Sequence, residues 1–189
     1  MRSKLLLKSA EFYKDDCCVQ ITDYIYLGNI RSASNEHLLC KLKIGSILDL
    51  SNADTWAPDA HSLRACSCTL QTAHPRCRLN IGFTDGDGGS MTQFFVKMSK
   101  FIDAACERKY GVIVCSHDAV SRAPCAVIQY LMSRQRMSLS QAYDRVMRRW
   151  PAVRIHDSLW RSLEDWEKKL YGGETATTTF RRSIADDWA

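Results

Sequence analysis

The stretch Val112-Ile113-Val114-Cys115-Ser116-His117-Asp118-Ala119-Val120-Ser121-Arg122-Ala123-Pro124 decides how this chain is read. With Gly111 in front, "GVIVC" (111–115) is short, continuous and β-branched, the pattern of a central strand covered on both faces. A short polar loop follows. A helix is then expected from about Ala123 to Gln135, with Pro124 tolerated in its first turn. A buried strand feeding a tight loop and a helix aims backbone N–H groups at one point, and the helix start adds partial positive charge there. Arg122, at the end of the loop, supplies a planar fork that matches two phosphate oxygens. On these grounds Ser116, His117, Asp118, Ala119, Val120, Ser121 and Arg122 form a candidate anion cradle. The competing reading is an ordinary strand-to-helix turn.

The elements around this stretch alternate between strand and helix. "YIYLG" (24–28) and "SILDLS" (46–51) read as strands, and "LNIGF" (79–83) as another. "SNEHLLCKLKI" (34–44) reads as a short helix with Ser34 as its cap. Residues 52–78 are polar and irregular and are expected to be surface connections. Ser90 and Gln93 have the spacing of a capping box. Behind them Met91, Phe94, Phe95, Met98, Phe101, Ile102 and Ala105 follow a helical period. Ser138 and Gln141 form a second capping box for a helix to about Arg149, stopped by Pro151. Leu159, Leu163, Trp166 and Leu170 share one stripe of a last helix, which Gly172 and Gly173 end. The expected architecture is an α/β fold: a central, mostly parallel twisted sheet of about five strands flanked by helices. Residues 1–18 read as a lead-in, 19–171 as one domain, and 172–189 as a Thr-rich tail.

Composition narrows the function classes. The 189 residues carry a net charge of +5, and seven arginines between Arg134 and Arg161 crowd the C-terminal third. A solvated helix face is the plain reading; a field drawing in acidic or phosphorylated partners is the sharper one. No aromatic–basic interleaving of the kind that single strands stack on is present, so no nucleic-acid partner is expected. No apolar run approaches the ~20 residues of a membrane span. Nine cysteines are scattered without a secretory signal in front of them, which predicts reduced thiols and an intracellular location. Cytoplasm, with the nucleus as a further possibility, is favoured over the mitochondrion, because Glu11, Asp15 and Asp16 spoil the basic N-terminus. Cys66, Cys68, His74 and Cys77 lie close together, but their spacing is not that of a usual zinc knuckle, and free thiols are the preferred reading. Trp188, in the tail, is the one tryptophan that suggests a docking residue.

Several stretches in order resemble the atypical dual-specificity phosphatases of the cysteine-dependent protein tyrosine phosphatase superfamily. "ITDYIYLGNIRSAS" resembles the family's opening strand and "VIVCSHDAVSRAPCAVIQYLM" its strand–loop–helix signature. "MSLSQAYDRVMRRWPAVRIHDSLWRSLEDWEKKL" resembles its two closing helices. The resemblance covers about residues 19–171. It implies a loop of His-Cys, five residues and Arg, with Gly three before the Arg and Ser just before it. Ser121 and Arg122 match. Cys115 stands at the His position, Ser116 at the nucleophile position and Ala119 at the Gly position. The family's general acid, an Asp ten residues before a helix Phe, carries over to Asp85, with Asp87 as its rival in "TDGDGG". His156 stands where the family often has Asn before its last helix.

The resemblance would ordinarily imply a phosphatase acting on phosphoserine, phosphothreonine and phosphotyrosine, with no metal or organic cofactor. The Ser at position 116 implies something else. A thiolate survives at neutral pH because a cradle lowers the thiol pKa, whereas a hydroxyl needs an adjacent base. Cys115 is one residue out of register, and such a shift turns a strand side chain to the opposite face. The expected function is therefore a pseudophosphatase that binds phosphoproteins or signalling partners without turnover. An active protein phosphatase is the alternative.

Overall fold

The computed structural model describes residues 18–52, 75–82 and 91–172, and residues 61–64 as backbone. Among the described residues, six strands form one sheet: β1 (Cys18–Gln20), β2 (Ile25–Asn29), β3 (Ile44–Asp49), β4 (His61–Arg64), β5 (Arg76–Asn80) and β6 (Gly111–Ser116). Their spatial order is β1-β2-β6-β3-β5-β4. The three inner ladders, β2–β6, β6–β3 and β3–β5, are parallel, and the two outer ladders are antiparallel. The expected α/β architecture with a mainly parallel sheet is thus the observed one, with six strands rather than about five.

Strand β6 lies at the centre because it can be covered on both sides. Val112, Ile113, Val114 and Cys115 are all fully buried, and they alternate. Val112 and Val114 join the main core, while Ile113 and Cys115 join a smaller one with Ala33, Leu39, Ile44 and Ile47 on the other face. Two short helices, α1 (Ile30–Ser34) and α2 (Glu36–Lys41), lie on the smaller side. The other face carries α3 (Thr92–Glu107), α4 (Arg122–Gln135), α5 (Leu139–Arg149) and α6 (Asp157–Tyr171). Every residue of α4 from Ala123 to Met132 is buried. Burial all round marks a helix enclosed by its neighbours rather than a surface helix with one apolar stripe.

The structure moves several expected boundaries. Residues 52–78, read as irregular, contain β4 and the start of β5, and the lead-in to residue 18 runs into β1. The short helix expected from Ser34 is a pair. Asn29 caps the first helix and Asn35 the second, and the Ser34 hydroxyl donates back to Ile30 O instead. Asparagine at both caps satisfies an otherwise orphaned N–H, Ser32 N in one helix and Leu38 N in the other. Helix α3 has Met91 at its N-cap with no side-chain cap hydrogen bond; Ser90, of the box expected with Gln93, lies outside the described residues. Its start is held by burial of Met91 and by a tight Phe94 N–H to Met91 O turn of 3.0 Å. The Ser138–Gln141 box is present as expected, and Gly172 closes α6 in the left-handed region at φ 58°. Among the described residues, no helix is long and apolar enough to cross a membrane.

Candidate functional site

The parallel ladders bring the ends of β2, β3 and β6 to one edge of the sheet. Asn29 pairs with Ser116 in register, and Asp49 pairs with Cys115. From this edge residues 116–122 run as one continuous loop into α4, so the seven sequence-predicted cradle residues lie together. Ser116 is buried, whereas His117 and Asp118 are exposed. Asp85 and Asp87 lie outside the described residues.

Loop side chains occupy two of the loop's own amides. Ser116 Oγ accepts from Ala119 N–H at 3.1 Å, and Asp118 Oδ1 accepts from Val120 N–H at 3.0 Å. Ala119 sits at φ 60°, a left-handed angle that glycine adopts without cost and alanine does not. The alanine at the position where the resemblance implies Gly nevertheless adopts that angle. Its surroundings hold it there: Ala119 is fully buried, and the Trp150 indole N–H donates to its carbonyl at 3.0 Å.

Two further contacts come from the same following segment. Arg154 N–H donates to Val120 O at 2.8 Å, and His156 N–H donates to Ser121 Oγ at 2.9 Å. Three consecutive loop residues, 119 to 121, are thus each tied to residues 150–156, which connect α5 to α6. The Ser121 hydroxyl is turned toward this segment and makes no side-chain cap on α4. Arg122 is half-buried, and its Nη1 reaches Leu50 O at 3.5 Å, while Leu50 N–H in turn donates to Cys115 O at 2.8 Å. His156 is the N-cap of α6, its imidazole accepting from Ser158 N–H. The roles of Trp150 and of the Arg154 backbone were not foreseen. A Trp-Pro pair ending a helix was the only local signal.

The two thiols in the signature stretch are fully buried. Burial, then the neighbouring Asp49 carboxylate, push the Cys115 thiol well above its ordinary range, and burial alone pushes Cys125 up. Asp49 is itself paired with the Arg78 guanidinium across β3 and β5 and accepts from Ser51 N–H. Of the weighed zinc residues only Cys77 is described, on β5; Cys66, Cys68 and His74 lie outside the described residues. Among the described residues, no three His, Cys, Asp or Glu side chains gather as metal ligands would.

The arrangement resembles known proteins along most of its length. Residues 25–169 match the family model of the dual specificity phosphatase catalytic domain. Dual specificity protein phosphatase 7 of Homo sapiens is 30% identical over 152 residues, which is 80% of this chain and 33% of that protein. The chain thus spans about a third of that relative's length. Dual specificity protein phosphatase 1 of Arabidopsis thaliana is 26% identical over 168 residues, 87% of this chain and 77% of that one. A crystal structure of a leucine rich repeat and phosphatase domain containing protein from Entamoeba histolytica superposes with a TM-score of 0.65 at 26% identity, covering 84% of this chain and 97% of that one. With the strand, loop and helix in the expected order and the match running through both closing helices, the chain belongs to the dual specificity phosphatase family.

Proposed function

We propose that this chain is a pseudophosphatase: a dual specificity phosphatase fold that engages a phosphoprotein or signalling partner without turning it over. The observation that carries the reading is the hydroxyl of Ser116 at the base of the loop. Catalysis in this family's manner needs an ionised nucleophile there. A cradle of amides and an arginine can bring a thiol of pKa ~8.5 below neutrality, but an alcohol starts far higher and needs a base. Among the described residues, Ser116 Oγ is hydrogen-bonded by the Ala119 amide, and neither a histidine nor a carboxylate bonds it. Cys115 offers no substitute, because it lies in the smaller core on the opposite face of β6. Asp85, with Asp87 as its rival, is the proposed remnant of the general acid.

Retained binding is supported by Ser121 and Arg122, which match the family's loop. Asp118 works against it: its carboxylate already holds the Val120 amide and must swing away before an anion can use that donor. Phosphate affinity in the loop is accordingly weak, and contacts outside the loop carry much of the partner's binding. No metal or organic cofactor takes part. The same reading places the protein in the cytoplasm or nucleus.

The test is a pair of measurements. Wild type is expected to release no p-nitrophenol from p-nitrophenyl phosphate above background, while Ser116→Cys gains turnover. Phosphopeptide binding by wild type is expected to fall with Arg122→Ala. Wild-type turnover that Ser116→Ala abolishes would select the active enzyme instead.

A further inference from the structure

A second surface lies apart from the loop, at the opposite ends of the strands. One face of α3 forms its wall, with Lys97, Lys100, Phe101, Ala104 and Arg108 at helical spacing. Across from it stand Ser46 of β3 and Cys77 of β5, which are direct partners in the sheet. The groove between them holds about 360 Å³. Its floor is apolar: Phe101 is largely buried and Cys77 half-buried. Lys100 and Arg108 are exposed on its rim. An apolar slot under exposed cations suits an aromatic side chain flanked by carboxylates.

We propose that residues 183–188 of this same chain, "SIADDW", occupy the groove, with Trp188 on the Phe101–Cys77 floor and Asp186 and Asp187 against Lys100 and Arg108. Charge complementarity favours this occupant. Residues 65–74, between β4 and β5 in the sequence, contain no carboxylate.

The exit point of the chain also favours it. Tyr171, the last residue of α6, donates its hydroxyl to Met132 O at 2.6 Å and to Met137 O at 3.1 Å, so the chain leaves beside the end of α4. There Arg134 of α4 pairs with Asp103 of α3 through Nε to Oδ2 at 2.9 Å, so α3 is the adjacent helix. Crossing it takes about 10 Å. The stretch from Gly172 to Asp186 reaches up to about 46 Å when extended.

The test is amide hydrogen exchange on the full chain, read on peptides covering 183–188. Wild type is expected to show protection there about tenfold above the unstructured rate. The pair Lys100→Asp with Arg108→Asp is expected to abolish it, as is Asp186→Lys with Asp187→Lys, which alters no described element. Combining the two reversals is expected to restore it. Exchange at the unstructured rate in wild type, or protection indifferent to the reversals, would overturn the proposal. So would protection that rises with protein concentration, because the tail would then be docking on a second copy.

Discussion

Replacing Trp150 with Phe tests whether the segment after α5 shapes the loop. The indole N–H is lost, and the Ala119 carbonyl it serves is left in a place water does not reach, since both residues are fully buried. An orphaned buried acceptor costs about 1–3 kcal/mol. The smaller ring also vacates ~40 Å³, which at ~24 cal/mol per Å³ adds about 1 kcal/mol. The expected total is about 2–4 kcal/mol, a fall in melting temperature of roughly 5–15 °C for a chain of this size. Urea denaturation followed by circular dichroism gives the number. Trp160→Phe is the control. Its indole donates to Glu164 Oε1 at 2.9 Å, and that half-buried carboxylate can turn to water. The control should therefore show little beyond the volume loss, about 1 kcal/mol. If Trp150→Phe cost no more than Trp160→Phe, the indole–carbonyl bond would carry nothing, and the account of how Ala119 is held at φ 60° would fail.

Other outcomes follow from the same structure. Cys115 and Cys125 have thiol pKa values raised above the ordinary 9.0 by burial, so the unfolded chain sheds these protons first as pH rises. Their contribution is fully present below the unfolded pKa and is lost above it, at up to ~1.4 kcal/mol per pH unit for each thiol. Urea midpoints at pH 8, 9 and 10 should fall, and fall less steeply in Cys115→Ala; an unchanged slope would count against a protonated buried thiol. Arg78→Met leaves the nearly buried Asp49 carboxylate without its guanidinium, at a cost of about 3–5 kcal/mol. Adding Asp49→Asn should recover most of that loss, as a double-mutant cycle would show.

What was legible in the sequence is what obeys local rules. Strand β6 could be read because four consecutive apolar residues leave no polar face, and the same alternation correctly sent Cys115 away from Ser116. Strand β5 began earlier than expected because "RCR" looks like surface. Arg76 is nevertheless only 5% exposed. Its guanidinium is held by Ile44 O at 3.2 Å, Glu36 O at 3.3 Å and Cys40 Sγ at 2.7 Å, partners from thirty or more residues away. Buried charge satisfied at long range leaves no periodic trace. The loop's residues were found from their spacing and the resemblance. The bonds that pin the loop come from residues 150–156, and contacts across so wide a sequence gap cannot be inferred from a local pattern. The general-acid candidates Asp85 and Asp87 fall outside the described residues.

The ties from Trp150, Arg154 and His156 grip the loop by Ala119 O, Val120 O and Ser121 Oγ, none of which belongs to Ser116. Most of the mould is therefore held from outside, and the atom at its base adds only the bond that Ser116 Oγ accepts from Ala119 N–H. A change of the atom at position 116 leaves these three outside ties in place, so the outline of the loop is inherited from the α5–α6 connection more than from the residue at its base.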